Sequence, residues 1–587
     1  MSGNYRPRRQ HGSRLRSAAA ASQASTSGSV KDTTAAKPDA ARRAKPTRPA
    51  DPRRAAYDVL AAVRDRAAYA NLLLPKLLAE RQLAGRDAAF ATELTYGTLR
   101  GQGTYDAVLT ACSDRPLAKL DPPVLDILRL GAHQLLSTRV GAHAAVATSV
   151  DLAKSVIGPR VSGYVNAVLR RVATRDLAAW LPIVAPDPAT DLDAYLAIRY
   201  SHPRWIVAAY RAALADRANA PFAVTPPADQ LTPDPSPGQP ESASGDVTSA
   251  GATGSTDELA GAASSGPAPD DAAPARAGTP ASTATVTELE AALAAGNARP
   301  RVTLATFPAG PPRDTVMPAD AAPGHWSPYA FTLASGDPTP LVETGTAAVQ
   351  DEGSQLAALA LTRVPLDPVG GTSTPERWLD MCAGPGGKAR LLYGLACLPR
   401  ETAPADGSPA PRALLTAAEL HPHRAALVRE ALTTASRTIT GQPPAFEVIV
   451  ADSTNPPWPD ATFDRILLDV PCSGLGALRR RPEARWRKSK SDLKALTALQ
   501  RALLRSALAA VRPGGVVAYV TCSPVPAETA EVVTEVVAAT PGADILDTPA
   551  LLPGIPGTPA ANPLFAQLWP HRQGTDAIFI ALLRRTA

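Results

Sequence analysis

Long apolar runs are absent from this sequence, since no window holds the roughly 20 uninterrupted apolar residues of a membrane-spanning helix. The N-terminus carries arginines with no apolar segment behind them, which argues against a secretory signal peptide. The 5 cysteines are few, odd in number and without CxxC spacing, so neither a disulfide framework nor a zinc site is expected. We therefore expect a cytoplasmic protein that avoids membranes, holds no metal and uses any functional cysteine as a reduced thiol.

The length of 587 residues predicts roughly three or four domains. Hydrophobic residues make up 45% of the chain, enough for several cores, whereas its 40 Gly and 60 Pro predict that folded domains alternate with disordered stretches. Residues 1–50 hold eleven basic and two acidic residues, which predicts a disordered basic tail. Residues 218–284 are rich in Pro, Gly, Ser and Asp, which predicts a disordered acidic insertion. The net charge of +6 favours a nucleic-acid partner only weakly.

Residues 51–178 show apolar residues at spacings of three and four, which predicts a bundle of α-helices. Arg100 and the pair Arg170 and Arg171 follow apolar helical runs. We interpret these arginines either as partners of a helix dipole at a C-terminus or as contacts to RNA. Residues 179–346 contain further helical runs and an alternating stretch at 301–307, and they predict a linker or α+β subdomain that the insertion interrupts.

Short apolar runs alternate with helices from residue 347 to residue 587. This alternation predicts an α/β domain whose parallel sheet carries helices on both faces. In such folds, ligands bind beyond the carboxyl ends of the strands, so the residues that close each strand are the candidates for chemistry. The candidate strands are residues 377–382, 413–420, 446–452, 464–470 and 515–522.

A glycine-rich turn follows the first of these strands, directly after Asp380. Glycines allow a backbone to approach a bulky cofactor closely, and the lack of G-x-G-x-x-G spacing makes a dinucleotide the less favoured ligand. Glu419 closes the second strand, where such folds bind the hydroxyls of a ribose, and the Pro/Ala-rich stretch at 399–411 is predicted to be an inserted loop. Asp452 closes the third strand, and it is predicted either to bind an adenine amino group or to cap a helix.

Cysteines follow the fourth and fifth strands, Cys472 shortly after Asp469 and Cys522 at the end of the last run. A lone buried cysteine is usually an apolar filler. Two cysteines at the same edge of one sheet favour thiol chemistry instead, because a thiolate is a strong nucleophile. The segment that follows, residues 479–490, holds seven basic residues, one acid and a tryptophan, and it predicts a groove for a polyanion.

Three motifs resemble, in order, those of the Sun/Nol/Nop group of RNA cytosine-C5 methyltransferases: DMCAGPGGKA (380–389), LLDVPCSGLGALRRRPEARWR (467–487) and AYVTCSPVPAE (518–528). VQDEGSQ (349–355) is similar to the segment that leads into their catalytic domain. DAAFATELTYGTLRG (87–101) and YVNAVLRRV (164–172) resemble the NusB-like RNA-binding module of the bacterial 16S ribosomal RNA members. The likeness covers residues 50–215 and 285–587, with Gly384 where the family usually has alanine.

The resemblance implies an all-α NusB-like bundle followed by a Rossmann-like α/β methyltransferase domain. It implies methylation of C5 of a cytosine in 16S ribosomal RNA with S-adenosylmethionine as the cofactor, by a monomer that binds RNA rather than DNA. Transfer RNA as the substrate is the alternative for the same chemistry. A non-catalytic RNA-binding or ribosome-assembly factor is the alternative from another class, and a nicotinamide-dependent oxidoreductase ranks third.

The resemblance also implies the roles of particular residues. Cys522 adds to C6 of the cytosine, Cys472 assists release of the product, and Asp469 binds the N3/N4 edge of the ring. No metal is implied, since the sulfonium of the cofactor already activates the methyl group. The residues implied for cofactor binding are Cys382, Ala383, Gly384, Pro385, Gly386, Gly387, Lys388, Glu419, Arg424, Asp452 and Asp469.

Overall fold

The computed structural model describes residues 51–215, 283–334, 336–366, 375–398, 413–439 and 445–586. The predicted disordered tail at 1–50 lies outside these residues, as do the predicted inserted loop at 399–411 and all but the last two residues of the predicted insertion at 218–284. Within the described ranges, every helix is too short or too polar to cross a membrane.

Six helices form a bundle at the N-terminal side of the described chain. Its core consists of apolar side chains at spacings of three and four, such as Val124, Ile127 and Leu128, all of which are at most 4% exposed. The predicted all-α fold of this region is confirmed. The helices are α1 (Pro52–Arg66), α2 (Ala70–Glu80), α3 (Gly85–Cys112), α4 (Pro122–Ser137), α5 (Ala142–Val156) and α6 (Ser162–Val172).

The arginines of this bundle differ in their positions along the helices. Arg100 lies in the interior of α3, so its interpretation as a partner of a helix C-terminus is wrong. Arg170 and Arg171 lie in the last turn of α6, where a positive charge is favourable. Arg171 also donates to the Cys112 carbonyl and pairs with Asp114. The role of Arg100 therefore needs another explanation.

Four helices and a small sheet connect the bundle to the C-terminal part. The helices are α7 (Leu177–Val184), α8 (Leu192–Arg199), α9 (Arg204–Ala215) and α10 (Thr283–Ala295), and the last three of them share a core with Leu475 and Trp569. The sheet contains β1 (Val302–Thr306), β2 (Ala322–Pro323), β3 (Ala330–Leu333) and β4 (Ala347–Val349), with the short helices α11 (Arg313–Val316) and α12 (Thr339–Glu343). Its order is β2, β3, β1, β4, with antiparallel pairing throughout. The predicted strand at 301–307 is therefore present as β1.

The C-terminal part of the described chain is an α/β domain built on a mixed, eight-stranded sheet. Its strands are β5 (Arg377–Asp380), β6 (Leu414–Glu419), β7 (Phe446–Val450), β8 (Phe463–Asp469), β9 (Val511–Thr521), β10 (Ala543–Ile545), β11 (Ala566–Gln567) and β12 (Phe579–Arg585). Its helices are α13 (Glu352–Arg363), α14 (Gly387–Ala396), α15 (Pro422–Ser436), α16 (Ala484–Arg487), α17 (Asp492–Ala510), α18 (Ala530–Ala538) and α19 (Pro570–Gln573).

The sheet has the order β10, β12, β9, β8, β5, β6, β7, and β11 pairs with β12. Strands β5 to β9 are parallel and correspond to the five predicted strands. The later strands, which the sequence analysis did not predict, run antiparallel to their neighbours and make the sheet mixed. The predicted α/β fold class of this domain is confirmed.

Side chains of the central strands alternate between the two faces of the sheet. Trp378 and Leu467 enter the core beneath α13, α14 and α15, whereas Leu379 and Leu468 enter the opposite core beneath α17 and α18. From β5 the chain continues to β6 and β7 on one side, and it returns to β8 and β9 on the other. The switch point therefore lies between β5 and β8, where doubly wound sheets open a crevice for a ligand.

The basic segment at 479–490 joins this domain to the elements before it. Arg485 is fully buried, and its guanidinium donates to the carbonyls of Ser201 and Gly296 and to the side chain of Asn297. Ser201 precedes the undescribed segment at 216–282 in the sequence, and Gly296 and Asn297 follow it. Arg485 is therefore part of a domain junction.

The two residues after Arg485 contact the helical bundle itself. The indole of Trp486 lies against Gly103, where an added Cβ would come within 2.6 Å of it. Arg487 donates to the carbonyl of Val63 in α1 and to that of Ala68 in the connection between α1 and α2. The prediction that the basic segment forms an open polyanion groove is therefore wrong for these side chains, which are already used within the fold.

We expect Arg485→Ala to lower the free energy of unfolding by about 3 kcal/mol, because it leaves three buried acceptors without their donor. Urea denaturation followed by circular dichroism measures this change. Lys490→Ala, at an exposed position of the same segment, is the matched control and should change stability by less than about 0.5 kcal/mol. Equal stability of the two variants would contradict a junction that depends on Arg485.

Candidate active site

A cleft of about 590 Å³ opens at the carboxyl ends of β5 and β8. Its walls come from α2 and α3 of the bundle, from the residues around the start of β1 and from the mixed-sheet domain. Of the residues predicted for the site, the cleft is lined by Cys382, Ala383, Gly384, Pro385, Gly387, Lys388 and Asp469. The fold thus brings the glycine-rich turn and the end of β8 into one cavity.

The glycine-rich turn connects β5 to α14. Gly386 has a φ of 111°, a left-handed conformation that glycine adopts without strain. α14 begins at the next residue, Gly387, so Lys388 lies in its first turn and extends toward the end of β8. Sequence reasoning placed this turn and its strand correctly because a glycine-rich stretch after an apolar run is a local signal.

Asp380 lies where β5 ends and lines the same cleft. It is fully buried, and neither of its carboxylate oxygens makes a hydrogen bond of good geometry with a described residue, although the backbone amide of Cys382 lies near the carboxylate. Burial, followed by the nearby Asp469 carboxylate, raises the pKa of Asp380 to about 7. A buried carboxylate that lacks well-formed hydrogen bonds is costly, so these oxygens are available to a ligand that donates hydrogen bonds.

Glu419 ends β6 and is 4% exposed. It accepts hydrogen bonds from the amide of Gly384 at 3.1 Å and from the amide of His421 at 3.1 Å. Arg424 lies 3.4 Å from the same carboxylate and donates to the Gly384 carbonyl at 2.6 Å. The structure therefore joins three of the predicted cofactor residues, Gly384, Glu419 and Arg424, in one cluster beside the cleft.

Asp452 stands apart from this cluster. Its carboxylate accepts from both the amide and the hydroxyl of Thr454, and these hydrogen bonds lower the pKa of Asp452. The side chain is exposed, caps its own turn and does not line the cleft as described. Two interpretations were left open for Asp452, binding of an adenine amino group and capping of a helix. The geometry matches capping, although the element that Asp452 caps is a turn and not a helix.

The two cysteines meet next to the cleft. The sulfur atoms of Cys472 and Cys522 lie 3.2 Å apart, although the residues are 50 positions apart in sequence. The contact with Cys522 and burial, together with the carboxylates of Glu528 and Asp469, raise the pKa of the Cys472 thiol well above its usual range. Cys472 therefore keeps its proton and can donate a hydrogen bond to the sulfur of Cys522.

Lys388 links the cysteines to the carboxylate at the end of β8. Its Nζ donates to Oδ2 of Asp469 at 2.7 Å. Burial acts to lower the pKa of Lys388, but Asp469 and Cys522 outweigh it, and the net pKa is raised. Lys388 is therefore a cation that lies close to Cys522 and fixes the position of Asp469.

Glu528 connects the turns that carry the two cysteines, and the sequence analysis gave it no role. It is fully buried and accepts from the amide of Ser473 at 2.7 Å and from the hydroxyl of Ser523 at 2.6 Å. Each serine directly follows one of the cysteines. The repeated Cys-Ser pair was the available signal, but only the fold shows that one carboxylate binds both serines.

Two further carboxylates on the cleft wall were also missed. Asp351 and Asp576 form ion pairs with Arg479 and with Arg480, including contacts of 2.7 Å and 3.0 Å from Arg479. All four side chains line the cleft. Because Asp351 and Asp576 lie 128 and 97 positions from Arg479, no local pattern could reveal the network. These two arginines are thus neutralised within the fold.

Two family models match this chain. One, described as 16S rRNA methyltransferase RsmB/F, matches residues 369–584, and the NusB family matches residues 50–174. A protein of Mycobacterium tuberculosis strain H37Rv with the name "Putative methyltransferase Rv1407" is 42% identical over 547 residues, which cover 92% of this chain and 97% of that relative. The chain belongs to the RsmB/F methyltransferase family.

More distant similarities agree with this membership. The ribosomal RNA small subunit methyltransferase B of Pseudomonas syringae is 28% identical over 551 residues, with 92% of this chain and 97% of that protein covered. The crystal structure of PH0851 has a TM-score of 0.62 at 18% identity and covers 91% of this chain and 98% of that chain, which shows a shared fold. The resemblance drawn from the motifs is confirmed, and this RsmB/F protein is an RNA methyltransferase that uses S-adenosylmethionine.

The residues of the RsmB/F cleft fit such a cofactor. A volume of about 590 Å³ is within the range of small-molecule sites. Asp380 presents acceptor oxygens to the cavity, and the turn beside it contributes glycines that leave room for a ligand. Both are features that a hydrogen-bonding nucleoside derivative can use.

Alanine is the residue that the family usually has at position 384, but in this structure Glu419 and Arg424 occupy the space that its Cβ needs, so we expect Gly384→Ala to weaken S-adenosylmethionine binding about threefold, equivalent to about 0.7 kcal/mol. The added Cβ would lie 2.2 Å from Oε2 of Glu419, so this carboxylate would have to leave its position. Isothermal titration calorimetry measures the affinity.

Glu419→Asp is the matching change, since a shorter carboxylate relieves the clash. The loss caused by Gly384→Ala should therefore be smaller in the Glu419→Asp background than in the wild type. An equal loss in both backgrounds would show that the contact between Gly384 and Glu419 does not control binding.

Proposed function

We propose that this RsmB/F protein methylates C5 of a cytosine in 16S ribosomal RNA and that Cys522 forms a transient covalent bond to C6 of the base. The observation that carries the proposal is the 3.2 Å contact between the sulfur atoms of Cys472 and Cys522, next to the ion pair of Lys388 and Asp469. The family model and the relative from Pseudomonas syringae, both named for small-subunit ribosomal RNA, support the choice of substrate.

The chemistry of cytosine explains why a thiol is needed. C5 belongs to an aromatic ring and has no lone pair, so it is a poor nucleophile. When the Cys522 thiolate adds to C6, the ring loses its aromaticity and C5 becomes enamine-like. Lys388 provides positive charge near this sulfur, and Asp469 binds the N3/N4 edge by accepting a hydrogen bond from the N4 amino group, which orients the ring for the addition.

Completion of the reaction requires the loss of the C5 proton and the breaking of the bond to Cys522. S-adenosylmethionine supplies the methyl group that C5 accepts. The electron pair of the C5–H bond then re-forms the C5–C6 double bond, a base takes the proton, and Cys522 departs as a thiolate. Cys472, protonated and 3.2 Å away, assists this departure by donating a hydrogen bond to the leaving sulfur.

The geometry of the glycine-rich turn and its neighbours also supports roles for particular residues in cofactor binding. In the proposal, the turn from Cys382 to Lys388 contacts the cofactor, and Glu419 accepts hydrogen bonds from its ribose hydroxyls. Arg424 holds Glu419 in place, because it contacts both this carboxylate and the Gly384 carbonyl. The geometry does not support Asp452 as an adenine contact, since its side chain is engaged in its own turn.

Access to the base sets a condition on the RNA. A cytosine stacked in a duplex does not expose C6 to a thiolate, so the target must be single-stranded or flipped out of its helix. The cleft has room for such a base, and one of its walls is the NusB-like bundle. We therefore expect the bundle and the catalytic domain to contact the same RNA strand.

Two experiments test the proposed function. Bisulfite sequencing of 16S ribosomal RNA from cells with and without this protein should reveal a cytosine that is protected only when the protein is present. Purified protein should transfer labelled methyl groups from S-adenosylmethionine to 16S ribosomal RNA taken from cells that lack it. Label in transfer RNA instead would identify the alternative substrate, and no label in either RNA would indicate a non-catalytic RNA-binding factor.

A further inference from the structure

Arg100 is an arginine of the helical bundle that faces the active-site cleft. It lies in the interior of α3, far from either end of the helix, and its side chain lines the same cavity as Asp380 and Lys388. Its guanidinium lies over the ring of Tyr96, 5.5 Å from the ring centre, which holds it in place. The fold thus places a bundle arginine in the wall of the catalytic cavity.

Polar atoms of the bundle are left without partners in this wall. Nε of Arg100 is buried and has no hydrogen-bond partner among the described residues, and the same holds for Oδ1 of Asn71 in α2. Both residues line the cleft. A buried donor without a partner is unfavourable, so Nε of Arg100 favours a ligand that supplies an acceptor, whereas Oδ1 of Asn71 is itself an acceptor and does not contribute to the choice of ligand.

The charge of this wall is positive. Arg479 and Arg480 are neutralised by Asp351 and Asp576, and Lys388 by Asp469, as described above. Arg100 has two charged neighbours that also line the cleft, the carboxylate of Glu93 and the exposed guanidinium of Arg299. Burial lowers the pKa of the Arg100 guanidinium, and Arg299 adds to this shift, whereas Glu93 opposes it. The one carboxylate of Glu93 leaves these two guanidinium groups with a net positive charge, which favours a further anion beside them.

We propose that Arg100 and Arg299 bind a backbone phosphate of the RNA strand, close to the nucleotide that enters the catalytic cleft. This inference rests on the proposed function, since it takes RNA as the substrate. A phosphodiester supplies the acceptor oxygens that guanidinium groups bind best, and S-adenosylmethionine contains no phosphate. The bundle therefore forms part of the substrate site itself and positions the strand beside the thiols.

The salt dependence of RNA binding tests this contact. Each phosphate contact contributes about 0.7 to 0.9 to the slope of log affinity against log salt concentration. We expect Arg100→Gln to weaken the binding of a 16S ribosomal RNA transcript about threefold to tenfold in low salt and to reduce the slope by that amount. Arg100→Lys, which retains the charge, should keep the slope of the wild type. Fluorescence anisotropy at several KCl concentrations gives both quantities.

Two variants make the test independent of folding. Arg299 is exposed, so Arg299→Gln has little packing cost and should reduce the slope in the same way. Arg505→Gln, at an exposed position on α17 of the catalytic domain and outside the cleft, is the control that should bind RNA with the slope of the wild type. A wild-type slope in Arg299→Gln overturns the proposal even if Arg100→Gln does not fold.

A second readout separates RNA from the cofactor as the ligand. Calorimetry should give Arg100→Gln and the wild type the same affinity for S-adenosylmethionine. Weakened cofactor binding with unchanged RNA binding would assign Arg100 to the carboxylate of the cofactor and refute the phosphate contact. If the wild-type protein methylates no RNA, the proposed function fails, whereas a wild-type slope in an active variant refutes the phosphate contact alone.

Discussion

Replacement of Cys522 by alanine is expected to reduce methyl transfer to RNA by at least about a thousandfold. Without the thiolate, cytosine keeps its aromatic ring, and C5 has no means of attacking the methyl group. The fold should be retained, because Cys522 is partly exposed and the change removes one atom. Transfer of label from S-adenosylmethionine to 16S ribosomal RNA measures the effect, and calorimetry should show unchanged cofactor affinity.

Cys112→Ala is the matched control for Cys522→Ala. Cys112 is a buried thiol in the helical bundle, away from the cleft, so its loss should leave turnover close to that of the wild type. Turnover of Cys522→Ala at the wild-type rate would exclude the covalent mechanism. It would not by itself exclude an RNA methyltransferase that activates the base in another way.

Replacement of Cys472 by alanine is expected to trap the enzyme on its substrate. The thiol that assists departure of Cys522 is then missing, so addition and methyl transfer proceed while release is slowed. A covalent complex of protein and RNA should therefore accumulate and appear as a shifted band on a denaturing gel. The wild-type protein, which completes the cycle, should show little of it.

The double variant Cys472→Ala/Cys522→Ala identifies the sulfur that bonds to the RNA. The shifted band should disappear when Cys522 is also replaced, since Cys522 is the proposed point of attachment. A band that persists in the double variant would place the bond elsewhere. A band in Cys522→Ala alone would reverse the roles of the two cysteines.

The sequence could predict the meeting of these two cysteines because of a general property of parallel sheets. β8 and β9 are neighbouring parallel strands, so their carboxyl ends lie at the same edge, and the cysteines that follow them meet. The glycine-rich turn after β5 is a local pattern of the same kind. Strand ends bring Asp380, Asp469 and the two cysteines together as expected, whereas Asp452, which follows β7, lies apart from them.

Interactions between distant positions could not be predicted in this way. The seven basic residues at 479–490 look alike in sequence, yet Arg485 is buried in a junction and Arg480 pairs with Asp351 and Asp576. Composition gives the charge of a segment but not the partners that the fold brings to it. Arg100 is a second example. It lies within a long helix, which gives no sign of a site, yet it faces a cavity whose opposite wall includes Asp380 and Lys388, almost 300 positions later in the sequence.

The contacts of Trp486 and Arg487 with the bundle have a consequence for target choice. Trp486 and Arg487 lie 14 and 15 positions after Cys472, so only this short ordered segment separates the bundle contacts from the thiols. The fold therefore fixes the distance between the bundle and the sulfur of Cys522. Under the proposed function, we expect a cytosine to be modified where it is accessible at this distance from the part of the RNA that the bundle binds, so that the folded shape of the RNA selects the site more than the neighbouring bases do.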